Sequence, residues 1–380
     1  MLLALQLPPP MLTLIIFIIV LSVLVFVHEL GHFIMAKRAG MKVEEFGFGF
    51  PPRAWGYRPK NSETIYSINW IPFGGFVKIQ GENGEDQADP RSFSNGKFWA
   101  KVSVIVAGVV MNFLLAALLF MVINVRGARL SVDDPVVAAR ATDVQINIVD
   151  VAPDGPAAKA GLKPMDQIIG FDDPATADVA PEITPNSVEE VQSFILAHKG
   201  EEIHMYMYHA GDTGVPDFIF LTPRANPPPG QGALGVILAK TGLVRYPWYE
   251  AIWRGFQDAW YGLTAIFGGF WMILKNLLTT GKTGAELSGP VGIAVATGQA
   301  ARLGFNYLLQ FVAFISLNLA VLNIIPFPAL DGGRLLFIII EKLKGSPIPK
   351  RLEAVVNTVG FALLIALMIY ATTKDVIKFL

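Results

Sequence analysis

Residues 11–38 read MLTLIIFIIVLSVLVFVHELGHFIMAKR, and this stretch decides how the rest of the chain is read. No charge interrupts it before His28. At about 1.5 Å per residue the run reaches deep into a hydrocarbon layer of about 30 Å, with His28 roughly 25 Å along it. Residues four apart share one face of a helix, so His28 and His32 project together with Glu29 beside them. This His-Glu-x-x-His pattern suits one zinc ion held by two imidazoles, with a glutamate placed to take a proton from water. An ionisable side chain in a membrane helix costs about 2.5 kcal/mol or more, which makes such a cluster hard to keep without a use. The plainer alternative, a cluster lying in water just past the membrane, requires the span to be displaced.

Further apolar runs follow at Val102 to Val125, Tyr307 to Ile325 and Ala354 to Ala371, giving an expectation of about four transmembrane helices. A fifth candidate, Trp248 to Leu278, carries Glu250, Arg254, Gln257 and Asp258 among tryptophans, a composition expected of a helix lying at the interface. The amino terminus lacks the basic segment and cleavage site of a signal peptide, so the first run is expected to be retained as a span. Composition agrees: 53% of residues are hydrophobic and 16% charged, a departure from soluble averages towards a membrane protein. A net charge of -1 without any compact Lys/Arg run speaks against a nucleic-acid partner. With no cysteine, a bound metal has only His, Asp or Glu to hold it.

Lys37, Arg38, Lys42, Arg53, Arg58, Lys60, Lys78, Arg91, Lys97 and Lys101 follow the first span, and Lys342, Lys344, Lys350 and Arg351 precede the last. By the positive-inside rule these loops face the cytoplasm, and residues 126–246 lie on the outer side. That outer stretch is turn-rich, with strand-like runs at 146–151, 167–171, 203–208 and 218–221 and a helix-like run at 188–197. It reads as one small α+β domain, closed by the stiff NPPPG at 226–230. Between the first two spans, residues 43–79 alternate aromatic and polar positions around Gly47, Gly49, Gly74 and Gly75, the pattern of a membrane-associated β-hairpin. The expected organisation is a membrane core over 1–125, a soluble domain over 126–230, an interfacial and linker region over 231–300, and a second membrane core over 301–380.

A catalytic zinc takes three protein ligands and keeps a fourth position open. The remaining histidines, His198, His204 and His209, all fall in the outer domain. The third ligand is therefore expected to be a carboxylate, and Asp331 in the LDGG of 330–333 stands at the same depth as His28. Asp-Gly-Gly is also ordinary turn chemistry. Pro326 and Pro328 break the helix before it. Asn112 and Asn323 are amides among apolar residues, suited to hydrogen bonding between helices or to holding substrate backbone and an oxyanion.

HELGH at 28–32, AGVVMN at 107–112, GPAAKAGLKPMDQIIGFDD at 155–173, ELSGPVGIA at 286–294 and NIIPFPALDGG at 323–333 together resemble the site-2 proteases, and within them the bacterial regulator-of-sigma-E protease branch. The resemblance implies a multi-pass protein of the bacterial inner membrane, with zinc held by His28, His32 and Asp331 and with Glu29 as general base. It implies that Asn323 contacts substrate and that Gly47, Phe48 and Gly49 belong to a re-entrant β element pairing with an unwound substrate strand. The active site would lie near the cytoplasmic side, with a PDZ-like domain facing the periplasm and chain termini as its expected ligands. Substrates would be transmembrane segments of single-span proteins, such as anti-sigma factors or remnant signal peptides. There is room for one PDZ-like domain where well-known relatives carry two, and Val109 stands where the family often has proline. Two other readings compete: a non-catalytic receptor with a structural metal, which would need a fourth ligand, and an ion transporter, which the lack of inverted repeats disfavours.

Overall fold

The computed structural model describes residues 9–82, 88–172, 181, 183–210, 212, 214–281 and 288–379. Of the stretches quoted above, Asp173, Glu286 and Leu287 lie outside the described residues, as do residues 1–8. In chain order the elements are α1 (Pro9–Arg38), β1 (Val43–Tyr57), β2 (Ile65–Ile79), α2 (Phe98–Arg126), β3 (Ala128–Ser131), α3 (Pro135–Ala138), β4 (Thr142–Val151), α4 (Pro156–Lys159) and β5 (Gln167–Asp172). They continue with α5 (Val188–Ala197), β6 (Ile203–Tyr208), β7 (Asp217–Leu221), β8 (Val236–Val244), α6 (Trp248–Thr280), α7 (Pro290–Leu303), α8 (Phe305–Ile324), α9 (Asp331–Lys344) and α10 (Lys350–Phe379).

The chain divides into two compact units. The first gathers residues 1–122, 249–301 and 305–380. Among the described residues, five helices are long and apolar enough to cross a membrane: Pro10–Arg38, Phe98–Arg126, Trp248–Thr280, Phe305–Ile324 and Lys350–Lys378. Their outer faces carry unpaired apolar side chains such as Leu14, Ile19, Leu118, Phe361 and Ile369. Such a surface suits lipid as solvent, since the helical backbone is satisfied within each segment. Four of the five coincide with the spans expected from sequence, and α6 adds a fifth candidate. One face of α6 presents the buried small residues Ala251, Gly255, Ala259 and Gly262. A side chain at Gly255 would meet Met121 and the Ala117 carbonyl, and one at Gly262 would meet Leu317. Small residues at such seams let membrane helices approach closely.

β1 and β2 form a hairpin that doubles back on itself. Phe46 is paired with both Val77 and Tyr66, Gly47 with Phe76 and Ser67, and Phe48 with Gly75 and Ile68. Residues 46–48 are therefore interior to the small sheet, and residues 71–77 of β2 have a strand partner on one side alone among the described residues. This bears on the expectation that Gly47, Phe48 and Gly49 pair with substrate. The backbones of Gly47 and Phe48 already have partners on both sides, and Asn69 Nδ2 donates to the Gly49 carbonyl at 2.9 Å. The hairpin base packs with Ala36, Val104, Ile105 and Ile338 into one apolar cluster.

The second unit, residues 123–248 with 302–304, is a six-stranded sheet in the order β3-β8-β4-β5-β6-β7, antiparallel throughout. Its core joins Val191 and Ile195 of α5 to Ile148, Phe171, Ile203, Met205 and Met207. Here the structure departs from the sequence expectation at one boundary. β8, assigned above to a linker region beginning at residue 231, pairs with β4 from Thr142↔Leu243 to Val151↔Val236 and with β3 on its other side. A strand hydrogen-bonded on both edges is part of the sheet, so the β unit runs through NPPPG to about residue 248. The polytopic α-helical membrane protein with a β-hairpin and an inserted β unit stands, with that limit moved.

Candidate metal centre

His28 and His32 lie on consecutive turns of α1, both buried, with Nε2 atoms 3.1 Å apart. α2 runs antiparallel beside them, and three of its residues at helical spacing face the pair. The Val104 carbonyl lies 2.8 Å from His32 Nδ1, Gly108 faces both rings, and the Asn112 amide is 3.3 Å from His28 Nδ1. Glycine is required twice at this crossing. A side-chain carbon on Gly31 would overlap the Ala107 carbonyl, and one on Gly108 would sit 2.5 Å from His32 Nε2 and 2.7 Å from His28 Nε2. The helices meet closely because Gly31 has no side chain, and the imidazoles have room because Gly108 has none.

Asp331 arrives from the other half of the membrane core. α8 ends at Ile324, residues 325–330 form a tight loop, and Asp331 opens α9. Gly332 packs against the carbonyls of Ile324 and Ile325, and Gly333 against that of Phe327, so a Cβ at either would collide with backbone. Ala329 has φ 72°, a left-handed conformation that costs a non-glycine residue about 1–2 kcal/mol. Its N–H donates to Asn357 Oδ1 of α10 at 3.2 Å, and Gly360 of the same helix lies against Pro328. The loop thus turns Asp331 Oδ2 to 2.9 Å from His28 Nε2 and 3.3 Å from His32 Nε2.

These three atoms make a triangle with sides of 2.9, 3.1 and 3.3 Å. Donors at zinc-ligand distances of about 2.0–2.1 Å in a tetrahedral array stand about 3.4 Å apart, so the triangle has the size of a zinc site. Its chemistry also fits a cation. The Val104 carbonyl can only accept, so His32 Nδ1 carries the proton and a neutral His32 presents a bare lone pair at Nε2. That lone pair points at a carboxylate oxygen and at a second imidazole nitrogen, an arrangement a metal ion satisfies.

Glu29 stands at the rim. One of its carboxylate oxygens and a ring nitrogen from each histidine lie within 4.8 Å of one another, while Oε2 accepts from the Val77 N–H of β2 at 3.2 Å. Farther along α1, Ser22 Oγ donates to the Pro72 carbonyl at 2.6 Å and accepts from the Gly74 N–H at 3.3 Å. The outer side of β2 therefore lies along α1 and ends at Glu29. Asn323 reaches the site, with Nδ2 3.5 Å from His28 Nε2. Asn112, expected as a substrate contact, is 0% exposed and lies behind His28, with its carbonyl accepting from Ser316 Oγ at 2.8 Å. Beyond the residues expected from sequence, the site uses Val104, Gly108, the Val77 N–H, Ala329 and Asn357. For Gly108 a signal was present, since it lies four residues before Asn112 in AGVVMN.

The model of the peptidase family M50 matches residues 16–367. The chain is 30% identical to the zinc metalloprotease RasP of Geobacillus kaustophilus, covering 96% of this chain and 97% of that one. It is 29% identical to the regulator of sigma-W protease RasP of Bacillus subtilis, covering 96% and 98%. It is 30% identical to the zinc metalloprotease RasP of Oceanobacillus iheyensis, covering 96% and 99%. The match runs through both halves of the metal triangle, and with it the convergence of two imidazoles and a carboxylate on one point acquires a chemistry: this chain belongs to peptidase family M50, the site-2 proteases, which are intramembrane zinc metalloproteases.

Proposed function

We propose that this protein hydrolyses peptide bonds within transmembrane segments of single-span membrane proteins, with His28, His32 and Asp331 holding zinc and Glu29 as general base. The observation that carries the reading is the donor triangle of 2.9, 3.1 and 3.3 Å set among apolar helices with a carboxylate beside it. Zinc bound there supplies a Lewis acid that acidifies water and polarises the carbonyl to be cut. The protein's own residues do the rest. Glu29 Oε2 is held by the Val77 N–H, which leaves Oε1 to take the proton of the attacking water and hand it to the departing amine. Asn323 holds the carbonyl oxygen as charge develops on it.

A helical substrate hides its peptide bonds in its own hydrogen bonds and has to be drawn out before it is cut. The β1–β2 hairpin is the element that can take an extended segment by β-augmentation, at the backbone groups of residues 71–77 that Ser22 and Glu29 of α1 leave free. Gly47 and Phe48, paired with Phe76 and Gly75, stand directly behind those groups. The positive loops put the site towards the cytoplasm and the β unit, read as a single PDZ-like domain, on the outer face. α5 packed on an antiparallel sheet supports that reading, with chain termini as its ligands.

The test is purified protein in lipid, incubated with a panel of single-span substrates whose products are mapped by mass spectrometry. Cleavage within the apolar segment is the expected result. Cleavage confined to the soluble flanks would contradict the reading, and zinc binding without cleavage of any substrate would favour a receptor.

A further inference from the structure

We propose that Asn112 is a positioning residue that fixes the tautomer of His28, by accepting a hydrogen bond from Nδ1–H so that the Nε2 lone pair faces the metal position. The inference rests on the zinc-ligand reading above.

The two histidines present Nε2 to a common point, and each needs its other nitrogen protonated to do so. For His32 this is settled by the Val104 carbonyl, an obligate acceptor at 2.8 Å. For His28 the group at Nδ1 is the Asn112 side chain at 3.3 Å, and an amide presents either a donor or an acceptor. Asn112 is 0% exposed, and Gly108, one turn away on the same helix face, has no side chain that could serve His28 instead. With the amide nitrogen towards His28, as placed, Asn112 Oδ1 is left without a hydrogen-bond partner, and His28 must carry its proton on Nε2, where it points at Asp331 Oδ2 at 2.9 Å. That arrangement blocks a metal. The two ends of an amide are nearly equal in size, so the side chain fits the same space either way round. Turning the amide gives the oxygen a donor in Nδ1–H and frees Nε2. The Ser316 hydroxyl, donating to the Asn112 carbonyl at 2.8 Å, anchors that residue's backbone while the amide turns. An asparagine thus serves where the Val104 carbonyl serves His32, one helical face supplying both acceptors.

The experiment compares zinc affinity, by chelator competition, in wild type, Asn112→Leu and Asn112→Asp, with thermal melting to verify folding. Leucine keeps the number and branching of side-chain heavy atoms and offers no acceptor; aspartate can only accept. The expected result is a loss of about 10- to 100-fold for Asn112→Leu, the usual effect of removing such a partner, with Asn112→Asp restored to near wild type. Wild-type affinity in Asn112→Leu, or a folded Asn112→Asp as weak as the leucine variant, would overturn the proposal. Should Asn112→Asp fail to fold, histidine-selective 15N NMR of the zinc-loaded wild type decides: a proton on His28 Nδ1 supports the proposal and a bare Nδ1 refutes it. If wild type itself binds no zinc, it is the ligand reading that fails, and the two failures are thereby distinguished.

Discussion

His28 and His32 sit on an unbroken helix, whereas Asp331 sits where the chain has just ended one helix and is starting another. On α1 the spacing of the helix does the placing, and the surroundings need only stay clear: Gly31 lets α2 approach and Gly108 leaves space for the rings. On the α8–α9 side nothing periodic places the carboxylate. Its position comes from two glycines pressed on carbonyls, an alanine held at positive φ and a hydrogen bond from another helix. The proposed zinc site, assembled from a periodic half and an aperiodic half, should respond differently to damage in each.

The sharpest break in this comparison is Gly332→Ala. Its Cβ would overlap two backbone carbonyls that cannot yield without moving the loop, so zinc affinity should fall by at least about 100-fold, equivalent to roughly 3 kcal/mol, as read by chelator competition. Gly108→Ala presses instead on the Nε2 edges of the two imidazole rings, which are side chains rather than backbone. Overpacking of this kind costs about 1–3 kcal/mol, so a loss of about 5- to 150-fold is expected, with α1 and α2 still paired by thermal melting. Asn357→Leu removes one hydrogen bond from the Ala329 loop, worth about 1 kcal/mol, and should weaken zinc about fivefold. If Gly332→Ala bound zinc as well as Gly108→Ala does, the distinction between the halves would be lost.

The same contrast explains what the sequence made legible. The imidazole pair was readable because helical spacing is fixed by local geometry, and Asp331 because Pro326, Pro328 and the following glycines mark a break at matching depth. Asn112 was visible as a buried amide, but its target depends on the azimuth of α2 against α1, which no local pattern encodes. The hairpin was readable as strands from its alternation. Its doubling back was not, because pairing residue 46 with both 66 and 77 is a long-range matter of register. β8 was missed because Gly242 and Lys240 weaken its alternation and NPPPG precedes it, while its two strand partners lie far back in the chain.

The most direct test of the central claim is to quantify zinc and intramembrane cleavage together in wild type, Glu29→Gln and Asp331→Asn, purified in lipid. About one zinc per chain and cleavage are expected in wild type, zinc without cleavage in Glu29→Gln, and loss of both in Asp331→Asn. Cleavage at the wild-type rate by Glu29→Gln, or full zinc in Asp331→Asn, would contradict that claim.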